Sequence, residues 1–327
     1  MNDPIGNDSP AQPGRFCPSA YAYSPKSLSR EAELHADALY VAGGLYGNTF
    51  ALEKLLALVD EEPGAATLVF NGDFNWFDVD RQSFEAINKS VKRHTALRGN
   101  VETELGNDDD AAGCGCAYPS DVSDAEVERS NEILDRLRET ARKLPAIRSW
   151  LRALPMQAVA EVAGLRVAIV HGDAESLAGW AYSEQALRSD DGVERLRRHF
   201  SAARARVIAS SHTCLPVAVR LETEAGACAL FNNGAAGMPN LRATQHGIVT
   251  RIATTPAANS LYGTRIGSVH IDAVALHYDH SAWTQAFLAN WPESSPAHAS
   301  YFRRITEGPA YELRDAVRGT LRPERDR

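Results

Sequence analysis

The sequence predicts a layered α/β fold, and two observations support this prediction. Over roughly the first hundred residues, apolar stretches of strand length alternate with turns and amphipathic helices. Several of these stretches also run directly into tight turns that carry polar side chains, as at Thr67–Asp73. Ligands of open α/β sheets bind at the carboxyl ends of the strands. We therefore expect the functional residues at strand ends.

Residues 1 to 37 are predicted to form an irregular N-terminal arm, because the segment is rich in Pro, Ser, Asn and Gly. Its aromatic part, Phe16–Tyr23, is apolar enough to pack on the body of the protein. Ser27 or Ser29 would cap a short helix that continues to Ala36. Residues 38 to 327 then form the main domain.

The main domain begins with three predicted strands, each followed by a turn. The first two turns lead into helices whose apolar residues recur at helical spacing. In order, the elements are a strand Ala38–Ala42, a helix Thr49–Val59, a strand leading to Asp73, a helix Arg81–Lys92 and a strand Thr95–Leu97 that runs into Arg98-Gly99-Asn100-Val101-Glu102.

Residues from about 103 to 155 are predicted to form a helical insertion. The segment begins with an acidic turn and a small Gly-rich loop that carries Cys114 and Cys116, and two predicted helices follow. The insertion leaves the scaffold just after Asn100 and returns to the hairpin that ends at His171. Because both of its ends lie near strand ends, we expect it to cover the functional site.

The second half of the chain is predicted to be rich in strands. A hairpin of Gln157–Val162 and Leu165–Val170 ends in His171-Gly172-Asp173, and a strand Val207–Ala209 ends in Ser210-Ser211-His212. Later strands are predicted at 217–221, 227–231, 248–252 and 270–278, followed by two helical segments and a basic tail after Arg318.

The composition restricts the class of protein. The formal net charge of −8 and the pI near 5.7 argue against general nucleic-acid binding. No stretch is apolar over the length of a membrane span, and the N-terminus lacks the pattern of a signal peptide. Five cysteines, an odd number, are typical of reduced thiols. We therefore expect a cytoplasmic protein.

Four strand ends carry residues that bind metals, namely Asp73, Asn100, His171 and His212. One carboxylate, one amide oxygen and two imidazoles suit a divalent transition metal such as Zn, Mn, Fe or Co. Each residue also has an ordinary interpretation, since Asn100 would serve as a turn cap and His171 as a buried histidine with a polar partner. The same pattern at four strands favours one shared metal site.

Five short motifs, taken in order, resemble those of the calcineurin-like metallophosphoesterases. They are Gly44-Leu45-Tyr46-Gly47-Asn48, Gly72-Asp73, Gly99-Asn100-Val101-Glu102, His171-Gly172-Asp173 and Ser211-His212-Thr213-Cys214. A later turn, Asn232-Asn233-Gly234-Ala235, resembles the Asn-Pro-Gly-Ser turn of the same family. The resemblance covers about residues 38 to 280 apart from the insertion. It implies a four-layer αββα sandwich with a metal cluster at the strand ends.

The departures from the family pattern fall on one of the family's two metal sites. At the first site, Gly44, Tyr46 and Cys214 stand where the family has Asp, His and His. The second site keeps all of its ligands, which are Asp73, Asn100, His171 and His212. The resemblance therefore implies one bound ion, with a second ion as the open alternative.

Thiolates are an alternative set of ligands for a second ion. Cys214 stands at the position of the family's final His, and Cys114 and Cys116 lie in a Gly-rich loop shortly after Asn100. Together with Asp73 they would supply four ligands, since thiolates bind zinc and iron well. The ordinary alternative is that these cysteines are small buried residues. The sequence leaves both interpretations open.

The resemblance implies a metal-dependent phosphoesterase, which hydrolyses a phosphate mono- or diester of a small substrate with a metal-activated water. Val101 and Trp76-Phe77 stand where the family's protein phosphatases have a histidine and an Asp-Arg pair. A phosphoprotein phosphatase is therefore disfavoured, and Asp173 and Tyr46 are the candidates for a general acid. The alternative is a non-catalytic relative that binds a phosphorylated ligand or a protein partner.

Overall fold

The structure, a computed structural model, describes residues 12–318 and 321. The first eleven residues of the predicted arm, and the predicted basic tail apart from Leu321, lie outside the described residues. None of the helices in the described part of the chain is long and apolar enough to cross a membrane.

The described residues form thirteen strands. In chain order they are β1 (Leu34–Ala36), β2 (Ala38–Ala42), β3 (Ala66–Asn71), β4 (Thr95–Leu97), β5 (Gln157–Val162), β6 (Leu165–Val170), β7 (Val207–Ser210), β8 (Pro216–Thr223), β9 (Gly226–Asn233), β10 (Gly247–Ala253), β11 (Ser260–Ile266), β12 (Val269–Leu276) and β13 (Val317–Arg318).

Nine α-helices accompany the strands in the same described ranges. They are α1 (Thr49–Asp60), α2 (Arg81–Val91), α3 (Asn100–Gly106), α4 (Asp124–Arg142), α5 (Pro145–Ala153), α6 (Asp190–Ala203), α7 (His280–Asn290), α8 (Pro296–Glu307) and α9 (Leu313–Ala316).

The strands form two sheets. The larger sheet has the strand order β1-β5-β6-β7-β9-β8-β13, and the smaller has the order β11-β12-β10-β2-β3-β4. Strands β2, β3 and β4 are parallel neighbours, and so are β6 and β7. Parallel neighbours end at the same edge of a sheet, so β3 ends beside β4, and β6 ends beside β7.

The alternation of side chains along β2 shows how the layers are stacked. Leu39 and Val41 lie in the core between the two sheets, whereas Tyr40 and Ala42 lie in the core that α1, α2 and α7 share with the smaller sheet. Leu196 and Phe200 of α6 pack on the outer face of the larger sheet. The layers are thus helix, sheet, sheet and helix, which confirms the predicted αββα sandwich.

The segment predicted as a helical insertion contains α4 and α5, as expected, and also part of α3. Helix α3 begins at Asn100 itself, so this residue lies in the first turn of a helix. Helix α4 packs against α8, where Arg129 Nε donates to Ser300 Oγ at 2.7 Å. The division of the chain into arm, domain and insertion stays a prediction.

Two details of secondary structure differ from the predictions. Where a helix was expected to continue to Ala36, the chain forms a 3-10 turn, Pro25–Ser29, and then β1, because this stretch pairs in parallel with β5. Strand β11 has no counterpart among the predicted strands. It pairs with β12, and Gly263 together with polar neighbours weakens its strand pattern in the sequence.

Candidate metal centre

The four candidate ligands converge at one end of the sandwich. Asp73 follows β3 and Asn100 follows β4 in the smaller sheet, while His171 follows β6 and His212 follows β7 in the larger one. All four residues are at least 95% buried. A cross-sheet hydrogen bond, from Asn71 Nδ2 to the carbonyl of Val170 at 2.7 Å, ties β3 to β6 just before the ligands.

The distances between the ligand atoms fit a metal ion. His171 Nε2 lies 3.3 Å from Asp73 Oδ2, 3.2 Å from Asn100 Oδ1 and 3.2 Å from His212 Nδ1. Ligand atoms that bind zinc tetrahedrally at 2.0–2.1 Å lie about 3.4 Å apart. Among the residues that the structure describes, Asp73, His171 and His212 form the one group of three or more His, Cys, Asp or Glu ligands at metal-binding distances.

The hydrogen bonds on the far sides of the two imidazoles fix their tautomers. His171 Nδ1 lies 2.8 Å from the carbonyl of Asn71, and His212 Nε2 lies 3.0 Å from the carbonyl of Cys116. Because a carbonyl oxygen only accepts, each of these nitrogens carries the proton. In the neutral imidazoles, His171 Nε2 and His212 Nδ1 therefore direct lone pairs at one point, as metal ligands do.

The electrostatics of the site are those of a cation site. Burial alone would raise the pKa of Asp73, but the charge and hydrogen bond of His171 outweigh it, so this pKa is lowered. Burial would lower the pKa of His171, but Asp73 raises it above its ordinary value. Burial and the neighbouring His171 lower the pKa of His212 to about 4. The Asp73 carboxylate is thus ionised and His212 is neutral, as metal ligands must be, whereas His171 would release its proton when a metal binds.

Glu102 holds the turn that presents Asp73, a role that was not predicted from the sequence. Its carboxylate accepts the backbone N–H groups of Asp73 at 2.7 Å, Phe74 at 3.0 Å, Asn75 at 3.2 Å and Gly99 at 2.9 Å. Asp73 has a left-handed backbone, φ +52°, which these bonds stabilise. A usable sequence signal exists, since Glu102 stands three residues after Gly99, the spacing of a capping box.

Two glycines allow the strand ends to approach each other. A Cβ at Gly72 would lie 2.5 Å from His171 Nδ1, and a Cβ at Gly99 would lie 2.2 Å from Asp73 Oδ1. Either contact would displace a candidate ligand. The Gly in Gly72-Asp73 and in Gly99-Asn100 is therefore required by packing at the site rather than by the turns alone.

The place of the family's first metal site is filled by side chains. Tyr46 has a left-handed backbone, φ +56°, and its ring lies over Gly44, where an added Cβ would be 2.9 Å from Tyr46 Cε2. The Tyr46 hydroxyl lies 2.9 Å from Cys214 Sγ. Burial raises the pKa of both Tyr46 and Cys214, so both are neutral in this environment. The room that Gly44 leaves is thus occupied by a phenol.

The loop with Cys114 and Cys116 reaches the site through its backbone. Asn100 Nδ2 donates to the carbonyl of Cys114 at 3.0 Å, and the carbonyl of Cys116 is the partner of His212 described above. Cys116 Sγ lies 3.5 Å from Asn100 Nδ2, and burial raises the pKa of this thiol. In the described residues no thiol joins the Asp73, His171 and His212 group. A second ion bound by Cys114, Cys116 and Cys214 stays a prediction.

A narrow cavity of about 30 Å³ opens beside Asp73, Asn100 and His212. Aromatic side chains form much of its wall, and the Trp180 ring packs edge-on against His212 with ring centroids 5.3 Å apart. None of the described residues that line it is Lys or Arg. The cavity holds little more than a water molecule or an ion in this conformation.

Asp173, a candidate general acid, has a structural role in the turn after β6. Its Oδ1 accepts the backbone N–H groups of Glu175 and Ser176 at 2.8 and 3.0 Å, and its Oδ2 accepts that of Ala181 at 3.1 Å. Both carboxylate oxygens are therefore engaged away from the metal ligands. Tyr46, the other candidate, lines the cavity with its hydroxyl on Cys214.

Comparisons with known proteins agree with this architecture. No protein-family model matches the chain, and no curated protein matches it. It is similar to the crystal structure of a metallophosphoesterase from Sphaerobacter thermophilus, with 15% identity, a TM-score of 0.52, and coverage of 83% of this chain and 100% of that one.

A hypothetical protein from Pyrococcus horikoshii is similar as well, with 16% identity, a TM-score of 0.56, and coverage of 84% of this chain and 99% of that one. At such identities the similarity establishes the fold. The sheet order, the four layers and these two structures together show that the chain has the calcineurin-like metallophosphoesterase fold.

Proposed function

We propose that the protein binds one divalent transition-metal ion and uses it to hydrolyse a small phosphate ester. Asp73, Asn100, His171 and His212 would hold the ion. The observation that carries the proposal is the convergence of lone pairs from these four buried side chains within 3.3 Å of His171 Nε2. Without a metal ion, a proton on His171 takes its place among these acceptors, in line with the raised pKa of His171 beside Asp73.

The residues of the site have distinct parts in this proposal. A bound divalent ion supplies Lewis-acid polarisation of a phosphoryl oxygen and lowers the pKa of nearby water. Asp73 supplies the negative charge that retains the ion, and the carbonyls of Asn71 and Cys116 hold the two imidazoles in the ligand tautomer. Trp180 and its aromatic neighbours limit the access of bulk water.

Two features favour a single ion and a substrate of low charge. The Tyr46 ring and Cys214 occupy the place of the family's first site, which leaves one complete ligand set. No Lys or Arg lines the cavity in the described part of the chain, and Arg304 lies behind the wall with its guanidinium on the Cys214 carbonyl, so the phosphate would contact positive charge mainly at the ion. A singly charged diester suits this site better than a doubly charged monoester.

The test is metal analysis combined with hydrolysis of p-nitrophenyl esters. We expect about one ion per chain in wild type and faster metal-dependent hydrolysis of bis(p-nitrophenyl) phosphate than of p-nitrophenyl phosphate. Asp73→Ala and His171→Gln should lose the ion and the activity. His35→Gln is the matched control, since His35 is exposed on β1. Full metal content in a His171→Ala, His212→Ala double variant would overturn the proposal.

A second candidate function is a metal-bearing protein without catalysis, which binds a phosphorylated ligand or a protein partner. The narrow cavity favours it, because a phosphate ester needs more room than about 30 Å³. One tightly bound ion, no turnover of either ester and protection of the ion from a chelator by inorganic phosphate would identify this function.

A further inference from the structure

We infer that the loop Ala112–Tyr118, called the strap below, is the element that orients two of the metal ligands, with Gly115, Tyr21 and Asn131 as its positioning residues. The inference deepens the proposed function and rests on the metal site described above. The strap acts through backbone carbonyls, so the identity of its side chains does not reveal the role.

The strap carbonyls decide which atoms of Asn100 and His212 face the ion. Asn100 Nδ2 donates to the Cys114 carbonyl at 3.0 Å, which turns the Oδ1 atom toward His171 Nε2. His212 Nε2 donates to the Cys116 carbonyl at 3.0 Å, which leaves Nδ1 as the ligand atom. If the strap moved away, the Asn100 amide could rotate its N–H groups toward the ion, and the His212 imidazole could change tautomer.

The same Cys116 carbonyl also positions Trp180, which belongs to the aromatic wall of the cavity. Trp180 Nε1 donates to it at 3.0 Å, and the Trp180 ring packs against both His212 and Tyr118. One carbonyl oxygen thus accepts from a ligand and from the residue that covers it. Movement of the strap would therefore change both the geometry of the ligands and the wall of the cavity beside them.

Contacts from the insertion and from the N-terminal arm hold the strap in place. Cys114 N donates to Asn131 Oδ1 at 2.8 Å, and Arg138 Nη2 donates to the Gly113 carbonyl at 3.0 Å. Gly14 donates its N–H to Ala112 and accepts that of Tyr118, both at 2.9 Å. The strap is therefore held from both sides.

Gly115 is the point at which the strap is most sensitive. Its φ is +67°, and an added Cβ would lie 2.3 Å from the Tyr21 hydroxyl. That hydroxyl is fixed, because it donates to buried Glu104 Oε1 at 2.6 Å and Arg138 Nη2 holds the other carboxylate oxygen. A side chain at position 115 must therefore push the strap, including the Cys116 carbonyl, away from the site.

The experiment compares Gly115→Ala with Gly267→Ala. Gly267 has a nearly equal φ of +60°, and an added Cβ there meets no atom within 4 Å. Both variants carry the same backbone strain, but only Gly115→Ala moves the strap. We expect Gly115→Ala to bind Co²⁺ or Zn²⁺ about 10- to 100-fold more weakly and to change the visible Co²⁺ spectrum, while Gly267→Ala resembles wild type. Tyr21→Phe combined with Gly115→Ala should recover part of the affinity.

A second pair of variants keeps the test decisive if Gly115→Ala does not fold. Asn131→Ala removes the acceptor of Cys114 N and should weaken metal binding. Asn131→Asp keeps this acceptor, loses only the bond from Asn131 Nδ2 to the Pro13 carbonyl, and should retain most of the metal affinity. Equal metal affinity in Gly115→Ala and Gly267→Ala, or in Asn131→Ala and wild type, would overturn the role of the strap alone. A wild-type protein that binds no metal would overturn the proposed function with it.

Discussion

Single residues at the site are held in unusual states by their surroundings. Asp73, Tyr46 and Cys214 all have left-handed backbones, with φ of +52°, +56° and +59°. Such conformations cost energy for residues other than glycine, and they persist where surrounding contacts determine them. Here Glu102 supplies those contacts for Asp73, and the bond between the Tyr46 hydroxyl and Cys214 supplies them on the other side.

Asp78 gives a pH-dependent prediction at the same scale. Its Oδ1 accepts the N–H of Trp76 at 2.8 Å, while its Oδ2 is buried without a partner among the described residues. Burial raises its pKa from an ordinary 3.8 to about 7. Between these two values the unfolded chain ionises and the folded protein does not, so the free energy of unfolding falls as pH rises from about 4 to about 7.

Replacement of Asp78 by Asn removes this ionisation while keeping the acceptor for Trp76. We expect the stability of Asp78→Asn, relative to wild type, to increase from pH 4 to pH 7 by at most about 4 kcal/mol and to level off above pH 7. Urea unfolding at several pH values measures it. Parallel stability curves for the two proteins would show that Asp78 is not neutral in the folded state.

At the scale of elements, the turn between β2 and α1 departs from the metallophosphoesterase motif that it resembles. This turn carries Gly44 and Tyr46, and the turn after β7 carries Cys214. Helix α1 is nevertheless capped normally, since Asn48 Oδ1 accepts the N–H of Ala51 at 2.9 Å. The helix that follows the turn thus begins normally although Gly44 and Tyr46 stand in the turn.

Restoring those ligands should restore a second ion. In the triple variant Gly44→Asp, Tyr46→His, Cys214→His, we expect about two metal ions per chain where wild type has about one. Asp tolerates the left-handed conformation of position 44 better than most residues, and removal of the Tyr46 phenol opens the space beside it. Quantitative metal analysis measures the number of ions per chain, with the Gly44→Asp single variant as the control. An unchanged stoichiometry in the folded triple variant would mean that the scaffold has also diverged.

The elements also show which parts of the site could be predicted. Asp73, Asn100, His171 and His212 stood out in the sequence because parallel strands end at one edge and each strand was followed by a ligand-type residue. The sequence does not indicate that the strap supplies hydrogen-bond acceptors from its backbone, because every residue has a backbone carbonyl. In the sequence its cysteines suggest thiolate ligands, whereas in the structure their backbone carbonyls contact Asn100 and His212.

At the scale of the whole molecule, the layered fold was predictable and some of its edges were not. The apolar run Ala38–Ala42 predicts a strand, and in the structure its two faces lie in different cores. Strand β1 depends on pairing with β5, more than a hundred residues later, and β11 depends on β12. The pairing partner, distant in sequence for β1 and adjacent in the chain for β11, rather than local propensity, decided these edge strands.

The origin of the four ligands, two from each sheet, has a mechanical consequence. An ion bound by all of them would join the two sheets at one end of the sandwich, in addition to the cross-sheet hydrogen bonds of Asn71, His171 and Asn233. Removing the ion should increase local opening at that end of the sandwich, while the rest of the two sheets stays packed together. Hydrogen exchange should then quicken at the carboxyl ends of β3, β6 and β7 in chelator-treated protein and stay unchanged in the β11–β12 hairpin. Equal exchange rates at these strand ends with and without the chelator would mean that the two sheets are held together equally well without the ion.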